Sequence, residues 1–157
     1  MGYATAQAAL QSRLGIRVDR AAADILDSVQ NPLFTVAGGH ILLTHIEATV
    51  SVAAVDAGAC NTQFLTNPTV GADMAICAVL NVISAAIGAI FSVSGTIADA
   101  MTGLVPGGGA PAMTRPIIVP VGTIDLKSSA DRGTGGALVA VSMWYIPLDA
   151  GAYVTAT

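Results

Sequence analysis

Ala137-Leu138-Val139-Ala140-Val141-Ser142-Met143-Trp144-Tyr145-Ile146 is the stretch that decides the fold of this 157-residue chain. It is rich in β-branched and aromatic residues and carries no glycine, proline or charge, the composition of a strand. Side chains alternate along a strand, so Leu138, Ala140, Ser142, Trp144 and Ile146 share one face. Val139, Val141, Met143 and Tyr145 share the other. Both faces read as buried, which predicts a central strand with Trp144 in the core. Truncating such a ring, Trp144→Ala, is then expected to cost on the order of 3–5 kcal/mol.

Working outward, Ile41 to Val55 reads as a second long strand. Strict alternation sets Leu42, Thr44, Ile46, Ala48, Val50 and Val52 on its apolar face, against Leu43, His45, Glu47, Thr49 and Ser51. Leu33–Val36 and Thr62–Leu65 are shorter strands, bounded by the turn Ala37–His40, by Asp56-Ala57-Gly58 and by Asn67-Pro68. Met74–Ile83 and Ile87–Ser94 read as a pair joined by a turn, and Asp131–Gly136 is a turn before the final strand. Ile117–Val119 and Thr123–Leu126 flank Pro120, which suits an edge strand or a bulge. The Gly- and Pro-rich run Asp99–Thr114 predicts an irregular loop. About eight short strands with regular turn signals predict an all-β domain, a β-sandwich or jelly-roll-like fold over residues 31–157.

Residues 1–30 differ. Arg13, Arg17, Asp19, Arg20, Asp24 and Asp27 gather there. Leu14, Ile16 and Val18 alternate as an edge strand would, while Ala21–Val29 has helix-compatible spacing. The segment is expected to be an N-terminal arm that packs on the body or reaches to a neighbour.

Charge is scarce: 10% of residues are charged and 54% apolar, with Lys127 the only lysine and Glu47 the only glutamate. A lone soluble domain has about 25% charged residues. Either other protein or lipid covers much of this surface, or it is an uncharged surface of Ala, Gly, Thr and Ser. The net charge of −4 supplies no basic footprint for nucleic acid. Met74–Ala98 is uncharged and long enough to span a bilayer, but Asn81, Ser84, Gly88, Ser92, Ser94 and Gly95 interrupt it, so two strands explain it better. No membrane partner is expected. The first ten residues lack a basic region leading into an apolar one, so no signal peptide is read, and synthesis in a reducing cytoplasm follows. Cys60 and Cys77 are then expected as two reduced, buried thiols on neighbouring strands rather than as a disulfide.

No catalytic constellation emerges. His40 and His45, five apart, point to opposite faces of a strand, so a shared metal site is not expected. His45 and Glu47 share a face and would need a third ligand to hold a metal; a surface pair is the simpler reading. The acids Asp56, Asp73, Asp99, Asp131 and Asp149 sit singly at turns, where capping explains them. Gly107-Gly108-Gly109 lacks the Lys-Ser/Thr of a phosphate loop, and Ser92-Val93-Ser94-Gly95 is no nucleophile elbow. No catalytic, cofactor-binding or metal-binding residue is assigned, and the chain is not expected to be an enzyme.

The order of segments is itself informative. Phe34–Gly39 leads into Ile41–Thr44, followed by Asn67–Asp73, then Pro120–Leu126 and Trp144–Ala152. Over residues 31–157 this resembles a group of small virion proteins encoded among the head genes of tailed bacteriophages. The resemblance implies a capsid decoration, or cement, protein on the capsid exterior, made in the host cytoplasm. Its expected partners are the major capsid protein and itself, as a homotrimer bridging capsid subunits, with many weak contacts adding by avidity. The alternative is a tail or head–tail connector protein; a glycan-binding module on the capsid surface comes third.

Overall fold

The computed structural model describes residues 14–24, 30–53, 60–82, 85–129 and 138–157. Its strands are β1 (Ile16–Asp24), β2 (Gln30–Ala37), β3 (Ile41–Val50), β4 (Asn61–Pro68), β5 (Met74–Ala75) and β6 (Leu80–Asn81). They continue as β7 (Ile90–Ser92), β8 (Thr102–Leu104), β9 (Ile117–Val119), β10 (Gly122–Ser128), β11 (Leu138–Pro147) and β12 (Tyr153–Ala156). One antiparallel sheet runs β1-β11-β3-β7-β8, with β9 also on β3. The other runs β12-β2-β10-β4-β5, with β6 also on β4. The chain is an all-β sandwich, and it passes from one sheet to the other at most of its connections.

The core lies between the two inner faces. Ile41, Leu43, Ile46, Val141 and Met143 enter it from the first sheet, Phe34, Phe64 and Ile124 from the second, all without solvent exposure. Fully burying one such side chain stabilises the fold by about 1.5–3 kcal/mol. One hydroxyl pair, Thr62 with Ser128 at 3.2 Å, is buried with its hydrogen bond made.

β11 is central, between β1 and β3. Only one of its faces is buried, however. Val139, Val141, Met143 and Tyr145 are core, whereas Leu138, Ala140, Ser142, Trp144 and Ile146 lie half-covered on the outer face. The expectation of a core Trp144 is therefore corrected: with polar Ser142 beside it, that face is the solvent side of a two-layer sandwich.

β3 departs from strict alternation. Its ladder with β11 matches His45 to Trp144 and then Leu43 to Tyr145, leaving Thr44 as an extra residue. This bulge shifts the phase by one. Ile46, Ala48 and Val50 face the core as expected, but beyond the bulge Leu43 and Ile41 take over from Leu42. The hydroxyl of Thr44 donates to the carbonyls of Leu14 and of Trp144, the latter at 3.0 Å. A second bulge sits in the other sheet, where β10 passes from Ile124–Phe34 to Asp125–Pro32 and Leu33 is extra. Pro32 has no N–H to offer the ladder there.

Three other expectations change. Ala21–Asp24 continues β1 as strand instead of opening a helix, so this part of the 1–30 segment is built into the sheet; residues 25–29 lie outside those described. Gly15, just before β1, has φ +90°, and a side chain there would run into the Tyr145 carbonyl. The segments after Met74 and Ile87 do not pair with each other: β5 and β6 join β4, while β7 joins β3. The uncharged run thus crosses the sandwich, and among the described residues no helix is long and apolar enough to cross a membrane. Finally, Asp99–Thr114 contains β8, paired with β7. Gly103 lies beside Leu80 and Phe91 there, and Met101 and Met113 anchor the loop by burial. Pro120 falls at the crossover from β9 to β10. The turns proposed at residues 56–58 and 131–136 lie outside the described residues.

Candidate functional surfaces

The outer face of the first sheet presents a polar-aromatic grid set by register. Arg17, Trp144 and His45 stand side by side on β1, β11 and β3, and Asp19, Ser142 and Glu47 form the adjacent row. The Arg17 guanidinium lies 5.0 Å from the Trp144 ring centre, a cation–π contact. Trp144 and His45 rings are 5.2 Å apart and tilted by 50°. Arg17 Nε donates to Asp19 Oδ1 at 2.7 Å, and Ser142 Oγ donates to the same oxygen at 2.6 Å. The Ser142 hydrogen bond, helped by Arg17, holds the Asp19 carboxyl below its ordinary value.

His45 is not on the surface. It is 6% exposed, and its Nδ1 accepts the Met113 N–H at 3.3 Å. That leaves the proton of the neutral ring on Nε2, which donates to Glu47 Oε2 at 3.4 Å. The Met113 backbone of the 99–114 loop is thus held against the imidazole. Among the described residues no three His, Cys, Asp or Glu side chains converge in a metal-binding group. His40 lies apart at the β2–β3 turn, where its N–H and Nδ1 both meet Asp149 Oδ2 at 2.7 Å. These bonds hold the Asp149 carboxyl below its usual range. Asp149 sits at a turn as expected, but its carboxylate holds the distant β2–β3 turn through His40 instead of capping its own, and Asp99 accepts from Ser94 Oγ at 2.9 Å.

Cys60 and Cys77 remain thiols, both buried. They lie just outside strands and not on neighbouring ones as expected, Cys60 before β4 and Cys77 after β5: Cys77 Sγ accepts from the Phe64 N–H at 3.3 Å, and burial pushes its thiol up to about 11. Such a thiol is an inert packing group.

The outer face of the second sheet holds a feature that the turn-cap reading of Asp73 missed. Gln30, Pro32, Asn67, Asp73, Thr123 and Asp125 line an open polar hollow of about 520 Å³. Gln30 Nε2 bridges two carboxylates, donating to Asp73 Oδ2 at 3.1 Å and Asp125 Oδ2 at 2.7 Å. Asn67 Nδ2 reaches Asp125 Oδ2 at 3.4 Å. Asp125 is only 2% exposed, and its Oδ1 is buried without a hydrogen-bond partner, as is Thr123 Oγ1. In sequence Asp125 sat unremarked within an apolar strand, and an acid flanked by Ile124 and Leu126 was the signal that could have marked it.

Aliphatic side chains stand out at loop tips. Val70 is 89% exposed, Val105 76% and Ile87 61%. Leu80, Ala86, Ala89, Phe91, Val105 and Pro106 help line an apolar groove of about 370 Å³ at the β6–β8 edge. Set against family models, curated proteins and solved structures, the chain matched none.

Proposed function

We propose that this chain is a structural virion protein of a tailed bacteriophage, a capsid decoration protein that binds the outer shell and bridges major capsid subunits. The observation that carries this reading is the exposure of aliphatic loop tips, Val70, Ile87 and Val105, on a chain with only 10% charged residues. Single exposed aliphatics are ordinary, but Val105 also lines the apolar groove at the β6–β8 edge, and a continuous apolar surface is what a protein partner covers. A two-layer sandwich that displays such residues from its loops suits a clamp whose many weak contacts add by avidity over a shell. The resemblance of residues 31–157 to small phage head proteins points the same way. Aromatic groups offer little support to a glycan platform: Tyr145 is buried, Trp144 is half-covered beneath Arg17, and Tyr153 stands singly on an edge strand.

The test is the copy number of the protein in purified particles, measured by quantitative mass spectrometry against the major capsid protein. A ratio near one to one is expected. A few copies per hundred capsid subunits would move the assignment to a connector or tail ring. Absence from particles would overturn the virion reading.

A further inference from the structure

We propose that the hollow on the outer face of the second sheet is a calcium site, with Asp125 and Asp73 as its charged ligands. The starting point is an unbalanced buried charge. Asp125 is 98% removed from solvent, lines the hollow, and has one carboxylate oxygen with no partner. Among the described residues neither Asp73 nor Asp125 has a Lys or Arg within ion-pairing distance. A buried carboxylate is costly unless a cation or full hydrogen bonding compensates it.

The donor set fits a hard cation. Two carboxylates, the Gln30 and Asn67 amides and the Thr123 hydroxyl supply only oxygen once the amides turn their carbonyls inward. Calcium takes such mixed oxygen ligands at about 2.3–2.6 Å in loose geometry, whereas magnesium demands a tight octahedron. The Gln30 amide nitrogen marks the place: oxygens of both carboxylates lie within 3.1 Å of it. Rotating that amide would exchange a bridging N–H₂ for a bridging ion, with a small closure of Asp73 toward Asp125. Three strands would be tied together, since Gln30 belongs to β2, Asn67 to β4 and Asp125 to β10. The β2 bulge opposite Asp125 opens the backbone at this point. The inference stands apart from the virion reading.

Isothermal titration of chelator-treated protein with calcium chloride tests it, alongside melting curves with and without the ion. Saturable binding of one ion per chain is expected, with Tm raised by roughly 5–10 °C at a hundredfold excess over Kd. Asp73→Asn, at an exposed position, is expected to weaken binding at least about tenfold, roughly one charge-assisted ligand, and Asp125→Asn to abolish it. Circular dichroism checks that each variant folds; if Asp125→Asn does not, Asp73→Asn carries the test. No saturable heat in the folded wild type would overturn the proposal. So would wild-type affinity in Asp73→Asn, or an equal Tm rise with magnesium.

Discussion

At the residue scale, the largest change of role falls on Trp144. As an outer-face ring under Arg17 and beside His45 it supports a surface cluster and not the core. Trp144→Ala is therefore expected to cost about 1–2 kcal/mol, combining a cation–π contact with partial burial. Phe64→Ala, at a site with no exposure, should cost about 3–5 kcal/mol. Urea denaturation of the two variants gives the contrast directly, and equal losses would restore Trp144 to the core. Two exposed carboxylates contribute to the acid limb of stability. Asp19 and Asp149 are both lowered from 3.8 by hydrogen bonds made in the folded chain. Folding therefore favours their ionised forms, and this contribution is complete above the unfolded value and fades as pH falls through the lower folded values. Melting curves across about pH 2–5 should show Tm declining less steeply on acidification in Asp149→Asn than in the wild type.

At the element scale, what the sequence made legible is what period-two alternation and turn residues encode. β11 and β9 fall where apolar alternation places them and the Gly-Gly turn closes β2, but Asn67-Pro68, read as the turn ending β4, is paired inside that strand, as Asn31-Pro32 is inside β2. The bulge at Thr44 was not legible, because one extra residue changes no composition, yet it reverses which of Leu42 and Leu43 faces the core. The calcium hollow was hidden for a related reason. Gln30, Asp73 and Asp125 are far apart in sequence and meet only through the β2–β10–β4 register. β1 was half legible: Ile16 and Val18 announced a strand, but Ala21–Ala23 favoured a helix until pairing with Val139 and Leu138 held it extended. Its attachment gives an element-scale prediction. In Gly15→Ala the new methyl meets the Tyr145 carbonyl, a backbone atom that no rotamer change can move aside, at a φ that disfavours a side chain. The variant should lose roughly 1–3 kcal/mol. Hydrogen exchange should locate the loss, with protection falling at Arg17–Arg20 while β3 and β10 keep theirs. Uniform protection across β1 would show that the turn tolerates a methyl group.

At the scale of the whole molecule, the sandwich separates what keeps it folded from what it displays. Stability resides in the apolar layer between the sheets, while Val70, Ile87 and Val105 contribute almost nothing to it from loops that are open to solvent. Such exposed aliphatics are tolerated by folding, and the proposed function gives them a role in contact with other molecules. Replacing Val70 and Val105 by Asp should accordingly leave stability within about 0.5 kcal/mol of the wild type, as surface substitutions do. On the proposed virion reading the same substitutions put two charges into a desolvated contact, which is expensive when no partner charge answers them. Because binding over a shell multiplies through linked contacts, a small loss per contact becomes a large loss of occupancy. Cosedimentation of the double variant with capsids should therefore fall at least about tenfold, roughly 1.4 kcal/mol, with its melting curve unchanged. Full occupancy with an unchanged melting curve would place the capsid-facing surface elsewhere, with the Arg17–Trp144 face of the first sheet the next to alter.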